Sequence, residues 1–196
     1  MSSKDSILRA IRGHLPRATD LPSLEHSWIT YADREQQFSS VLEFVGGRAV
    51  FVSGIDELNQ KLGELPAYQS AKLILSRVSG VGKPNFDLDK IDDPHQVEPV
   101  DFAILPGQFA VAENGAIWVT GEGIKHRVAY FIAQHLALVL PAREILDNMH
   151  QAYEQLSFEK AGYGLFMSGP SKTADIEQSL VIGAHGPRSL TVFFVR

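Results

Sequence analysis

The spacing of apolar residues predicts two amphipathic helices in the first 45 residues. Residues 3–14 carry an apolar stripe at helical spacing, formed by Ile7, Leu8, Ile11 and Leu15. Residues 34–45 carry a second stripe, formed by Phe38, Val41, Leu42 and Val45. We expect the first helix, which is basic, to dock on its own domain, with a partner-binding arm as the alternative. Residues 16–27 contain proline and show no periodicity, which predicts a linker.

Short apolar runs separated by a helical pattern predict a parallel sheet. Residues 49–52 and 73–75 have the composition of buried strands, and residues 55–62 between them have helical periodicity. Ser53 followed by Asp56 resembles a capping pair and predicts where this helix begins. Strand, helix and strand at this spacing form a βαβ unit, which joins parallel strands.

The remaining pattern extends the same arrangement to the end of the chain. Apolar runs predict strands at 102–105, 116–119, 136–140, 165–167 and 190–195, and periodic segments predict helices at 124–134, 142–156 and 173–180. We therefore expect an α/β fold, in which helices flank a mainly parallel sheet and a helical arm precedes it. Residues 1–27 would form the arm and linker, and residues 28–196 a single domain.

A hairpin with a prominent carboxylate is predicted near residues 109–119. Asn114-Gly115 between apolar runs is a strong signal for a two-residue type I′ turn, because both central residues of that turn need a positive φ. Glu113 beside it is either a plain turn residue or a side chain presented for function, next to a glycine that lets a ligand approach the backbone. Glu113 is therefore a candidate catalytic residue, and Gly115 a candidate ligand-binding residue.

An acidic segment, residues 84–101, interrupts the periodic pattern. Its acidic residues are Asp87, Asp89, Asp92, Asp93, Glu98 and Asp101. Clustered carboxylates can hold a hard cation such as Ca²⁺, but the spacing and the central glycine of an EF-hand are absent here. We expect a solvated loop and predict no metal site in the chain.

Composition excludes several classes of function. The chain has 196 residues, no cysteine and a net charge of −5. Without thiolates it has no disulfide, no cysteine nucleophile and no cysteine-ligated zinc or iron–sulfur cluster of its own. No apolar run approaches the roughly 20 residues that span a bilayer, and the N-terminus lacks the apolar core of a signal peptide. No basic face favours binding to nucleic acid. We expect a cytoplasmic protein without a membrane span or a nucleic-acid partner.

The most informative stretch is the polar segment between the last two apolar runs, residues 168–187, which we call the platform. Residues 168–173 precede a predicted helix, so their amides and hydroxyls can hold an anion at the positive helix end. Pro170 stands where a Walker A loop needs lysine, which excludes that motif. We expect residues 168–173 and 183–187 to lie side by side at one end of the sheet, because each loop adjoins an apolar strand. The candidate ligand-binding residues of the platform are Gly169, Ser171, Thr173, Asp175 and Gly186.

His185 is the candidate catalytic residue of the platform. It lies in a glycine-containing loop, where a neutral imidazole can act as a base, a hydrogen-bond donor or a metal ligand. A structural role, with the ring bonded to a backbone carbonyl, is the alternative. Asp175 and Glu177 are two residues apart, so on a helix they point to different sides and make a poor pair of carboxylates.

Two stretches of the chain resemble the LUD domain family. GPSKTADIEQSLVIGAHGPRSLTVFFV, residues 169–195, is similar to the C-terminal signature of the family. AVAENGAIWV, residues 110–119, is similar to its internal motif, in which threonine usually stands at the position of Asn114. The resemblance runs from about Asp101 to the end of the chain. It implies a sheet like that of CoA-transferases and ribose-5-phosphate isomerases, and a role in oxidising L-lactate to pyruvate alongside iron–sulfur partner subunits.

The resemblance leaves the reaction open. AENG also resembles the Ser-Glu-Asn-Gly loop of CoA-transferases, whose glutamate attacks an acyl-CoA; carried over, Glu113 would be that nucleophile, although Ala112 replaces the serine. Three functions are therefore candidates. They are a component of lactate oxidation that binds a small carboxylate or other anion, an enzyme acting on acyl-CoA or phosphosugars, and a regulatory ligand-binding module. The pattern indicates no particular cofactor.

Overall fold

The computed structural model of the chain describes residues 2–15, 19–157, 162–173, 181–183 and 185–196. Its helices are α1 (Ser3–Gly13), α2 (Arg34–Phe44), α3 (Ile55–Gly63), α4 (Pro66–Ser70), α5 (Ala129–Ile132) and α6 (Met149–Gln155). Its strands are β1 (Arg48–Val52), β2 (Ile74–Ser76), β3 (Phe102–Pro106), β4 (Phe109–Val111), β5 (Ala116–Thr120), β6 (His135–Pro141), β7 (Ile145–Leu146), β8 (Gly164–Met167), β9 (Lys172–Thr173), β10 (Val181–Ile182) and β11 (Ser189–Val195). Short 3₁₀ turns occupy Leu88–Lys90, Pro94–Val97 and Ala142–Glu144.

The centre of the fold is a parallel sheet with the strand order β1-β11-β6-β3-β2. Phe193 of β11 pairs with Val50 of β1 on one side and with Val139 of β6 on the other. The prediction of an α/β fold with a mainly parallel sheet is thus confirmed. The two strands of the predicted βαβ unit, β1 and β2, both belong to this sheet. They lie at its opposite edges, because three later strands pair between them.

Both faces of the central sheet are covered, which explains why its strands are apolar along most of their length. One face packs against α3 and α4 through side chains such as Leu58, Leu62 and Phe193. The other face packs against α2 and a second sheet, of order β7-β4-β5-β8. On that side Phe38 of α2 meets the ring of Phe194 edge-on. Burial of each such side chain contributes about 1.5–3 kcal/mol, so the two cores hold the layers together.

The predicted hairpin is present as β4 and β5, but its turn is longer than expected. Val111 pairs with Ala116, which leaves four residues in the connection instead of two. Gly115 has a φ of +65°, and its amide donates to the carbonyl of Val111. A Cβ on Gly115 would lie 3.2 Å from the backbone nitrogen of Leu42. The glycine is therefore needed both for its conformation and for the close approach of α2.

The segment at 142–156, predicted as one long helix, is divided into three elements. A 3₁₀ turn occupies Ala142–Glu144, β7 occupies Ile145–Leu146, and α6 begins at Met149. The prediction was wrong because β7 pairs in parallel with β4, and this tertiary contact outweighs the local helical periodicity. Asn148 then starts the helix as its N-cap.

One other helix is shorter than the sequence predicts, and another has a different N-cap residue. Of residues 124–134, only Ala129–Ile132 are helical, because the preceding residues form hydrogen-bonded turns. In α3 the N-cap position belongs to Gly54 and not to Ser53. Ser53 donates its amide and hydroxyl hydrogens to the carboxylate of Glu57, one residue beyond the expected partner.

The N-terminal arm is a helix with no buried residue. A capping box closes its start, with hydrogen bonds exchanged between Ser2 and Asp5. The apolar stripe of α1 is exposed, so the prediction that it docks on its own domain is wrong. Within the ranges that the structure describes, no helix combines the length and apolar character needed to cross a membrane.

Candidate functional site

The two loops of the platform lie side by side, as the sequence predicts. Ser171 donates its amide hydrogen to the carbonyl of Pro187 over 2.9 Å, and Gly183 donates to the carbonyl of Ser171, also over 2.9 Å. The amide of Arg188 donates to the carbonyl of Gln134, the residue before β6. The loops therefore meet at the amino-terminal edge of the central sheet, where β6 and β11 begin.

Glycine is needed at two positions of the platform because segments pack closely there. Gly169 has a φ of +74°, and a Cβ on it would lie 2.7 Å from the carbonyl oxygen of Val45. A Cβ on Gly186 would lie 2.8 Å from the Cβ of Ser171. Packing thus explains both glycines, and their role in ligand binding stays a prediction.

An apolar cavity of about 240 Å³ opens between the two sheets beside the platform. Leu165 and Met167 of β8 form one wall, and Leu136 of β6 and Leu190 of β11 form another. Four of the predicted site residues also line it: Gly169, Ser171, His185 and Gly186. The structure thus brings together half of the residues that the sequence singled out.

A second cavity, the polar basin, adjoins the apolar cavity at the same edge of the sheet. Its volume is about 450 Å³. The two cavities share His185 and Gly186 in their walls. The other polar and charged side chains of the basin come from the start of β6, the loop before β11 and a 3₁₀ turn: Gln134, Arg188, His95 and Glu98.

Arg188 supplies positive charge to the polar basin. Among the residues that the structure describes, its guanidinium has no hydrogen-bond or ion-pair partner. Its charge reaches His135, whose Nδ1 lies 2.8 Å from the hydroxyl of Ser189. Burial, followed by the charge of Arg188, lowers the pKa of His135 below 6.5 against the opposing charge of Asp101. This shift favours the neutral form of His135, so the positive charge at this place comes from Arg188.

Glu113 does not line either of these cavities. Its carboxylate is exposed, and Oε2 accepts the N–H of Met149, the first residue of α6, over 2.9 Å. Gly115 lies outside both cavities as well. The hairpin loop contacts the platform through Ser168, whose hydroxyl donates to the carbonyl of Asn114. The catalytic role of Glu113 stays a prediction, and the contact that the structure gives its carboxylate is with the start of a helix.

Thr173 does not begin a helix, contrary to the prediction. It lies in β9 and pairs with Val181 of β10 in an antiparallel ladder. The described part of this segment, which ends at Thr173, is therefore a strand and presents no helix end to an anion. Asp175 and the rest of the predicted helix, residues 174–180, lie outside the described residues.

Sequence reasoning missed Arg188, Gln134 and His95, which line the polar basin. A cation directly after a Gly-Pro turn and before a strand is a usable signal for Arg188. His95 gives no such signal, because a 3₁₀ turn carries it to the basin from a distant part of the chain. The carboxylate of Asp93 holds that turn by accepting hydrogen bonds from the amide and the Nδ1 of His95.

The described ranges contain no cluster of three or more His, Asp or Glu residues that could hold a metal ion.

A larger cavity, of about 580 Å³, lies at the opposite edge, beyond the carboxyl ends of β2 and β3. Parallel sheets commonly bind ligands at that edge, but the cation of this cavity and one of its amides are already engaged. The amide of Gly82 donates to the side chain of Asn59. Arg77 donates to the carbonyl of Gly123 and to the carboxylate of Asp89. The polar basin, whose guanidinium has no partner among the residues that the structure describes, is therefore the stronger candidate site.

Comparisons with known proteins agree with this fold. A solved structure of a DUF162 family protein from Deinococcus radiodurans matches with a TM-score of 0.62 at 18% identity, over 83% of this chain and 96% of that protein. Lactate utilization protein C 1 of Bacillus mycoides is 32% identical over 105 residues, which are 50% of this chain and 45% of that protein. Lactate utilization protein C of Bacillus pumilus is 25% identical over 154 residues, 76% of this chain and 62% of that protein.

The chain spans about half the length of the first two of the curated relatives that it matches. The sequence pattern of the LUD domain matches residues 35–195, which contain the central sheet, the hairpin and the platform. This match confirms the resemblance seen in the two motifs. The chain belongs to the LUD domain family.

Proposed function

We propose that this chain is a component of a lactate-utilising system and that it binds a small carboxylate in the polar basin. The observation that carries the proposal is the guanidinium of Arg188, which has no partner in the described part of the chain and lies in a basin that His185 also lines. The names of the curated relatives point to lactate as the first ligand to test.

The basin has the donors that a carboxylate needs. A guanidinium presents two parallel N–H groups that match the two oxygens of a carboxylate. The carboxamide of Gln134 and the ring of His185 line the same basin and offer further donors. The chain as a whole carries a charge of −5, so attraction of the anion is local to Arg188 and does not extend far into solvent.

Oxidation of lactate to pyruvate releases two electrons and two protons. These 196 residues contain no cysteine that could ligate an iron–sulfur cluster, so we assign the electrons to an iron–sulfur partner subunit. We assign the acceptance of a proton to His185, whose imidazole lines the basin. In this arrangement the chain holds the anion and the partner accepts its electrons.

Calorimetric titration tests the binding half of the proposal. Replacement Arg188→Gln removes the charge and the fork of donors, so we expect the affinity for lactate or pyruvate to fall at least tenfold. Arg143→Gln is the matched control, because Arg143 is exposed at the other edge of the sheet and pairs with Glu144. Equal affinity of the Arg188→Gln and unsubstituted proteins would remove the basis of the proposal.

Growth on defined carbon sources tests the metabolic half. A strain of the source organism that lacks this protein is expected to fail on L-lactate and to grow on pyruvate. Restoration by the unsubstituted protein and by the Arg143→Gln variant, but not by Arg188→Gln, would link the basin to lactate use. Normal growth of the deletion strain on L-lactate would contradict the proposal.

A further inference from the structure

The polar basin and the apolar cavity lie next to each other. His185 and Gly186 line both of them, and a ligand that extends past these two residues would occupy both. One part presents the cation of Arg188, and the other is bounded by the large side chains of two sheets. A ligand that fits this site therefore has two chemically different ends.

The apolar cavity is large for a lactate-binding site. An apolar cavity of roughly 150 Å³ is enough to bind benzene in a protein core, and this one has about 240 Å³. Lactate has a single methyl group. Its carboxylate at Arg188 would leave the apolar cavity without an apolar group to fill it.

Two of the hydroxyl groups that line the apolar cavity already have partners inside the protein. The hydroxyl of Tyr130 lies within hydrogen-bond distance of the carbonyls of Pro106 and Thr120, and the hydroxyl of Ser168 donates to the carbonyl of Asn114. Burial raises the pKa of Tyr130 to about 12, so this group adds no charge at neutral pH. The anionic end of a ligand thus belongs in the basin and its apolar end in the cavity.

We propose that the site binds carboxylates that carry an apolar tail, of the size of a phenyl ring or a short acyl chain. This inference rests on the carboxylate site proposed above and extends it to a substrate class. Short 2-hydroxy acids such as lactate would be its weakest members, because they fill the basin and leave the cavity empty. Longer or aromatic 2-hydroxy acids would fill both.

A series of 2-hydroxy acids tests the inference on the unsubstituted protein. Each buried methylene contributes about 0.8 kcal/mol, which corresponds to a roughly fourfold lower Kd. From lactate through 2-hydroxybutyrate and 2-hydroxyvalerate to 2-hydroxyhexanoate, we expect the Kd to fall by about this factor at each step. Phenyllactate should bind more tightly than lactate. A Kd that does not change with tail length would overturn the inference while leaving the small-carboxylate proposal intact.

Two substitutions separate the ends of the ligand. Leu165→Trp, on edge strand β8, fills the apolar cavity and should flatten the dependence of Kd on tail length. Phe44→Trp introduces the same residue at a position 90% exposed outside both cavities and should preserve that dependence. Arg188→Gln should weaken all members by a similar factor and keep the slope.

The outcomes distinguish this inference from the proposed function. Binding of long acids without measurable binding of lactate would support the substrate class and contradict the small-carboxylate function. Absence of binding for every acid in the series would overturn both. A steep slope that Leu165→Trp leaves unchanged would place the tail elsewhere and also overturn the inference.

Discussion

Asp147 is a charged side chain buried almost completely inside the fold, with 1% of its surface exposed. It accepts the N–H of Tyr31 and forms an ion pair with Arg34 over 2.7 Å. Burial by itself raises the pKa of this carboxyl. The hydrogen bonds from Arg34, Tyr31 and Gln151 outweigh that effect and hold the pKa below 3.8. One residue thus joins the segment before α2 to the segment before α6.

Replacement Asp147→Ala should lower the free energy of unfolding by about 2–4 kcal/mol, because it leaves buried donors without an acceptor. The folded-state pKa lies below the unfolded value of 3.8. The stabilisation is therefore present above that pH and is lost as the pH falls through the folded-state pKa. Urea denaturation at steps from pH 7 downward measures this, and the difference in stability between the two proteins should narrow once the pH falls below 3.8. Asp20→Ala, the control at an exposed carboxylate, should change the free energy of unfolding little. Similar losses in the two variants would refute the claim that the buried contacts of Asp147 stabilise the fold.

Replacement Glu113→Gln separates the two interpretations of the hairpin glutamate. The glutamine keeps an oxygen that can accept the N–H of Met149 but loses the charge near the start of α6. We expect the free energy of unfolding to fall by less than about 1 kcal/mol and growth on L-lactate to continue. Loss of activity by orders of magnitude at normal stability would instead identify Glu113 as a nucleophile or base.

At the scale of elements, the platform depends on its contact with the end of α2. Gly169 lies directly against the carbonyl of Val45, the residue that follows this helix. On its other side the loop is bonded to the residues before β11, through Ser171 and Pro187. A displacement of this loop would therefore alter both the apolar cavity and the polar basin.

Replacement Gly169→Ala should destabilise the protein more than Gly123→Ala does. Both glycines have positive φ, of +74° and +66°, so the conformational cost of a side chain is similar at the two positions. A Cβ on Gly169 additionally meets the carbonyl of Val45 at 2.7 Å, whereas one on Gly123 has no atom within 4 Å. We expect an extra loss of about 1–3 kcal/mol from this overlap, measured by urea denaturation. Equal losses would show that the loop moves aside without cost.

At the scale of the whole molecule, the arm and the α/β layers differ in how they are stabilised. The layers bury two apolar cores, whereas α1 has a capping box and an exposed apolar stripe. Trp28, at the end of the predicted linker, stacks on His150 with the ring centres 3.3 Å apart. The division of the chain into an arm, residues 1–27, and a domain, residues 28–196, stays a prediction.

The double replacement of Ile7 and Ile11 by serine should leave the free energy of unfolding within about 0.5 kcal/mol of its original value, because neither side chain is buried. Phe38→Ala provides the contrast, since this ring is fully buried against Phe194 and its loss should cost about 3–5 kcal/mol. Urea denaturation of both variants makes the comparison. A loss above 1 kcal/mol in the serine variant would show that the arm contributes to the domain.

Particular residues show how much could be predicted from the sequence. The apolar runs that became β1, β3, β6 and β11 were identified correctly, because the composition of a buried strand is a local property. The loops around Ser171 and His185 were paired correctly, because both adjoin apolar strands. The segment at 142–156 was misread, since Ile145 and Leu146 fit a helical stripe equally well and only their pairing with β4 makes them a strand.

By itself the sequence determined the fold class, the positions of the main strands and the glycine-rich loops, and membership of the family through two motifs. These properties depend on residues that are close in the chain. Only the tertiary structure decided that β1 and β2 lie at opposite edges of the sheet, and that His95, Gln134 and Arg188 surround one basin. These properties depend on contacts between residues far apart in the chain. Local periodicity cannot encode such contacts, because periodicity reports which face of an element is buried and not what covers that face.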